Sequence, residues 1–178
     1  MLEVLDQEKG LALAETLTEA GERLAAGEKV SGPAADRYRA AAAEFTDRYA
    51  GTYLGRRELR TLVANPRFQV YEDPKAFLTC NHDAFTALCN PDCDRAGDGG
   101  RNTSDHFRCH PACANISRTD SQITALRTEV ARTDADADAG LDPYPIAARE
   151  QQRKAHLTAI IRRHDAQQPA GTDVEERR

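Results

Sequence analysis

The sequence predicts a mainly α-helical protein: N-terminal helices, a small irregular four-cysteine zinc-binding loop module, and a C-terminal antiparallel helical hairpin. Three observations predict it. Apolar residues recur at helical spacing through the first third of the chain. All five cysteines and three of the five histidines fall between Cys80 and Cys113. Two further helical patterns then flank an acidic, alanine-rich connector. The expected boundaries are 1–66 for the helical segment, 67–115 for the zinc module, 116–166 for the hairpin and 167–178 for a disordered tail without periodicity.

Residues 2–27 read as a helix. Leu13, Leu17, Ala20 and Leu24 form a stripe that Leu5 extends, while Glu15, Glu19, Glu22 and Arg23 lie off it. Gly27 suits the position just past the helix end. Gly10 and Gly21 each weaken the interior by roughly 1 kcal/mol relative to alanine. Ser31-Gly-Pro33 signals the start of a second helix, with Pro33 at its first position. Its face of Tyr38, Ala42, Phe45 and Tyr49 is expected to pack on the leucine stripe, and Gly51 ends it.

A third helix runs from Arg56 to Ala64, and Asn65-Pro66 stops it. Leu59, Leu62 and Val63 face inward. Arg56, Arg57, Arg60 and Arg67 make the most basic run of this half, most simply a solvated face but also suited to phosphate. Phe68 to Tyr71 alternates weakly and suits a short strand, and Glu72-Asp-Pro74 turns the chain.

After Cys113 a long helix is expected. Ile116, Ile123 and Val130 fall seven apart, with Thr119, Leu126 and Thr133 between them, a coiled-coil-like seam. Thr119 and Gln122 have the spacing of a capping box. The stretch from Thr133 to Pro143 reads as the connector that ends this helix. The return helix runs from Tyr144 to Asp165, with Ile146, Leu157, Ile160 and Ile161 on its apolar face. Arg149, Arg153, Lys154, Arg162 and Arg163 supply its charge.

The totals bound the function. A net charge of -5 over 178 residues argues against a generically basic nucleic-acid binder and leaves only local basic patches. Aromatic residues are 6% of the chain, so a thin, alanine-rich core is expected. A mean hydropathy of -0.67 and the lack of a long apolar run exclude a membrane-spanning helix. The N-terminus has no basic region followed by an apolar one, so a cytoplasmic chain with reduced thiols is expected.

The cysteine-rich stretch is too polar and glycine-rich between residues 94 and 104 to fold by burying apolar surface. Thiolates from both ends of the loop gathered on one Zn²⁺ would hold it. Spacing leaves the ligand set open. Cys89, Cys93, Cys109 and Cys113 form two symmetrical pairs and leave Cys80 over; Cys80, Cys89, Cys109 and Cys113 form the other set and leave Cys93. His82 and His110 are third choices.

No glycine-rich phosphate cradle, nucleophile elbow or His-Glu-x-x-His occurs, so no enzyme is expected. His82-Asp83 and Asp105-His106 invite a zinc-nuclease reading, but four cysteines would close the coordination sphere that catalysis needs open. A thiol redox sensor is the other alternative, with Cys93 left over. Asp92 and Asp94 beside it disfavour a thiolate.

Two motifs carry a family resemblance. Asn65-Pro-Arg-Phe-Gln-Val-Tyr-Glu-Asp-Pro-Lys-Ala-Phe-Leu-Thr-Cys80 runs into a Cys-x-x-Asp-x-x-x-x-x-Cys element ending at Cys89. The second is Cys109-His-Pro-Ala-Cys113-Ala-Asn-Ile-Ser-Arg-Thr-Asp120. Together they resemble the region that follows the catalytic domain in tyrosine recombinases (phage-type integrases) from mobile elements of high-GC bacteria. The resemblance implies four zinc cysteines, Cys80, Cys89, Cys109 and Cys113, with Cys93 as the extra. It also implies a role in DNA recombination and integration. No His-x-x-Arg precedes Tyr49, Tyr53 or Tyr71, the first histidine being His82, so the catalytic domain of those recombinases is absent and their activity is not carried over. Expected partners are duplex DNA, a recombinase catalytic subunit or a second copy of the chain, without a membrane. Candidate phosphate contacts are Arg56, Arg57, Arg60, Arg149, Arg153, Arg162 and Arg163.

Overall fold

The computed structural model describes residues 2–89, 109–138 and 143–167. The helical class holds: five α-helices dominate the described residues. They are α1 (Leu2–Ala25), α2 (Ala35–Tyr49), α3 (Arg56–Ala64), α4 (Asp120–Asp138) and α5 (Tyr144–Gln167). The sequence reading missed a four-stranded antiparallel sheet. It is built from β1 (Val30–Ser31), β2 (Val70–Asp73), β3 (Leu78–Asn81) and β4 (Ile116–Thr119) in the order β1-β4-β3-β2. Only β2 had been anticipated. The chain divides into two compact units, residues 1–119 and 120–178.

In the first unit, α1 is held by the stripe expected of it. Leu13, Leu17 and Ala20 are buried with Tyr38, Ala42 and Phe45 of α2, Leu62 of α3, and Phe68 and Val70. Phe45, Tyr49 and Phe68 form a triad of rings with centroids 5.2 to 6.3 Å apart, within the range where edge-to-face contact is favourable. Leu5 does not extend the stripe; it is exposed.

Gly10 and Gly21 have a packing reason. A Cβ at Gly10 would lie 2.9 Å from Leu59 Cβ, and one at Gly21 2.6 Å from Thr46 Oγ1. Their missing side chains let α3 and α2 approach α1, which offsets their poor helix propensity. At the end of α1, Glu28 N–H donates to Arg23 O and Gly27 N–H to Leu24 O, with Gly27 at φ +91. That is a Schellman closure, as the glycine's place in the sequence implied. Helix α2 starts later than expected: Ala34 caps it, and Pro33 lies in the turn before it. Asn65 ends α3, and its side chain accepts from Arg67 N–H.

The second correction concerns residues 116–138. Ile116 belongs to β4, not to a helical seam: it pairs with Cys80 across the sheet and is buried. Helix α4 begins only at Asp120, just after Thr119, so the seven-residue spacing of Ile116, Ile123 and Val130 crosses two kinds of element. Ile123 and Leu126 are buried, whereas Val130 is half-buried. The acidic stretch does not end the helix at Thr133, because α4 continues through Asp138. Alternating alanine and aspartate can propagate a helix once it has been nucleated.

In the second unit, α4 and α5 are joined by Asp120–His164, Arg127–Asp165, Glu129–Arg153 and Asp134–Lys154. Ile146 is exposed, and Leu157, Ile160 and Ile161 are half-buried. His164 is the α5 residue that is fully buried. No helix among the described residues is long and apolar enough to cross a membrane. The tail beyond residue 167 lies outside the described residues.

Candidate metal centre

Strands β3 and β4 position the cysteines. Cys80 sits in β3 between Tyr71 of β2 and Ile116 of β4. The strand's two-residue period puts Leu78 and Cys80 on one face and Thr79 and Asn81 on the other. Leu78, Ile116 and Cys113 form a small buried cluster on which Cys109 packs. Cys113 closes a turn, its N–H donating to His110 O, and then leads into β4 through Ile116 N–H donating to Cys113 O. Cys80, Cys89 and Cys113 are buried, Cys109 is half-buried, and none of the four forms a disulfide.

Cys109 feels two of the other thiols. Burial pushes the Cys109 thiol up from its ordinary range, and the nearby Cys113 and Cys89 push it further, with Asp73 adding to them and Arg118 opposing. A thiol kept protonated by burial and by neighbouring cysteines is one that a soft divalent cation can turn into a thiolate ligand. Cys113 Sγ also donates a long contact of 3.9 Å to Thr86 O. Cys80 acts on another group: Tyr71 is pushed up to about 12 by burial first and by Cys80 second. No three His, Cys, Asp or Glu side chains among the described residues are gathered closely enough to hold a metal ion. Cys93 and His106 lie outside the described residues.

The histidines fall in different settings. His110 is exposed, and its Nδ1 accepts from Ala112 N–H at 3.2 Å. His82 is buried, and its backbone N–H donates to Gln69 O at 2.8 Å.

What ties the ends of the cysteine stretch together among the described residues is Asn115, which the sequence reading passed over. Its side chain is fully buried. Oδ1 accepts from Arg37 Nη2 at 2.8 Å and Thr86 Oγ1 at 2.7 Å, and Nδ2 donates to Asp83 O at 2.8 Å. Arg37 also donates to Ala114 O and lies 3.6 Å from Asp83. One asparagine thus joins α2, the turn after β3 and the approach to β4. Its partners lie 29 to 78 residues away in sequence, so no local spacing marks it.

The candidate phosphate contacts divide between the units. Arg56, Arg57 and Arg60 are exposed along α3 in the first. Arg149, Arg153, Arg162 and Arg163 are exposed along α5 in the second. Arg153 is engaged by Glu129 at 2.8 Å and Glu150 at 3.6 Å, which weakens its case for phosphate. No family model matches the chain, and no curated protein or solved structure matches it either.

Proposed function

We propose that the chain is a non-catalytic module stabilised by one structural zinc on Cys80, Cys89, Cys109 and Cys113, contributing DNA contacts in recombination or integration. The observation that supports the zinc reading is Cys109 packed with the buried Cys113 on Leu78 and Ile116, with Cys89 acting on the same Cys109 thiol and no disulfide among the four cysteines. Buried and half-buried thiols from two distant chain segments suit a soft divalent ion, which would supply a crosslink and a counter-charge. Cys80 would have to approach from β3 to complete the set. The resemblance to the tails of tyrosine recombinases supplies the recombination setting, and a reducing cytoplasm fits thiols kept for metal.

The DNA part rests on exposed arginines against an acidic chain, chiefly Arg56, Arg57 and Arg60 on α3. Titration of duplex DNA at two salt concentrations tests it. Binding that weakens with salt, and weakens again when these three arginines become alanine, supports phosphate contacts. Binding that is absent or salt-independent removes them.

A second reading is favoured by α5. Ile146, Leu157, Ile160 and Ile161 lie on one helix without any of them being fully buried. The helical hairpin of α4 and α5 would then dock a second copy or a separate recombinase subunit. Sedimentation across a concentration series separates this from DNA binding.

A further inference from the structure

We propose that a cleft in the first unit, between α2, the 66–69 turn and the segment after β3, binds a nucleobase bearing an exocyclic amino group. Neither the cysteines nor the α3 and α5 arginines take part, so this goes beyond the function proposed above. The base would come from a free nucleoside or from an unpaired nucleic-acid strand.

The cleft encloses about 380 Å³, a size that accepts a small organic ligand. Ala40, Ala41, Pro66 and Ala84 line it with short side chains, which leaves a low apolar wall suited to a flat ring. Phe85 stands at the cleft 88% exposed, a large aromatic face presented to solvent. That ring is not on a slack loop. Phe85 N–H donates to Asp83 Oδ1 at 3.0 Å, and Asp83 O accepts from Thr86 N–H and from the buried Asn115. An exposed aromatic face on a hydrogen-bonded turn can take an unstacked base, because every base has a π-face to offer.

Asn81 supplies the polar half of the argument. It lines the cleft and is only 5% exposed. Its Nδ2 donates to Ser117 Oγ at 2.7 Å, while its Oδ1 is buried with no hydrogen-bond partner among the described residues. An amide oxygen accepts only, so the complementary ligand group is a hydrogen-bond donor, and on a nucleobase that is an N–H. Adenine, cytosine and guanine carry one on an exocyclic amine, and thymine does not. The ionic groups of the cleft oppose one another: Arg37 lies 3.6 Å from Asp83, and Arg67 3.3 Å from Glu44. A neutral ring therefore fits better than a strongly charged one.

Backbone-amide NMR of the whole chain, titrated with adenosine, tests the proposal. Saturable shifts at Ala40, Ala41 and Asn81 through Phe85 are expected. Phe85→Ala should weaken binding about tenfold, in line with loss of one base–aromatic stack. Because that side chain is already in solvent, the variant should keep its fold, which circular dichroism checks. The dimethylamino analogue of adenosine has no N–H on the exocyclic amine and should bind several-fold more weakly. A short oligodeoxyadenylate binding more tightly than adenosine assigns the base to a strand, and one binding no more tightly assigns it to a free nucleoside. No saturable shifts at these positions, an unchanged affinity in Phe85→Ala, or equal binding of the analogue would each overturn the proposal.

Discussion

His164 Nε2 lies 2.7 Å from Asp120 Oδ1, joining the fully buried imidazole of α5 to the first residue of α4. The carboxylate is one hydrogen-bond partner of a side chain that burial removes from water. We expect Asp120→Ala to destabilise the second unit by ~1–3 kcal/mol, through loss of a hydrogen bond between a carboxylate and a buried imidazole. Urea titration followed by circular dichroism should show the loss, with Asp120→Asn falling between the two.

The contact of Gly10 with Leu59 predicts a result opposite to helix propensity. Alanine should favour a helix interior by ~1 kcal/mol over glycine. Here its Cβ would meet Leu59 Cβ at 2.9 Å and Leu59 O at 3.2 Å. Gly10→Ala is therefore expected to lower stability by ~1–3 kcal/mol through overpacking. Gly21→Ala should cost less, since the nearest atom is the hydroxyl of a threonine side chain that is exposed overall. Thermal melts of the two variants side by side give the comparison.

These two contacts show what the sequence could and could not reveal. The α1 stripe, the α2 aromatic face and the Asn65-Pro66 stop were legible because helical periodicity and local breakers act over a few residues. The sheet was not. β1 has only two residues, and β3 is buried at every position, so neither shows the alternation of a half-buried strand. β4 was absorbed into a false heptad because Ile116 happens to lie seven residues from Ile123. The cysteines lie close together in the sequence itself, but Asn115 carries no local signal, since its partners come from two distant segments, α2 and the turn after β3.

Asn115 should prove one of the most sensitive polar positions in the chain. Removing its side chain deletes three hydrogen bonds at once, from Arg37, from Thr86 Oγ1 and to the carbonyl of Asp83. Asn115→Ala is expected to cost at least ~2 kcal/mol. Amide exchange should quicken across residues 83–86 before it does in α1.

Alkaline conditions should unfold the first unit in a defined window. Tyr38 and Tyr71 are both pushed up to about 12, in each case by burial first. In the unfolded chain a tyrosine titrates near 10, so between about pH 10 and 12 the folded state holds more protons. Stability is then full below about 10 and falls as pH rises towards 12. Tyrosinate absorbance should show two of the five tyrosines ionising late, together with unfolding. The hydroxyl of Tyr38 is buried without a hydrogen-bond partner among the described residues, so Tyr38→Phe should leave neutral-pH stability unchanged or raise it by ~1 kcal/mol.

The most direct measurement is the metal content of the native chain, purified under reducing conditions, beside single serine variants of the cysteines. The proposal predicts about one zinc per chain. Zinc should be lost in Cys80→Ser, Cys89→Ser, Cys109→Ser and Cys113→Ser, but kept in Cys93→Ser. A native protein that is folded, reduced and free of zinc would contradict it.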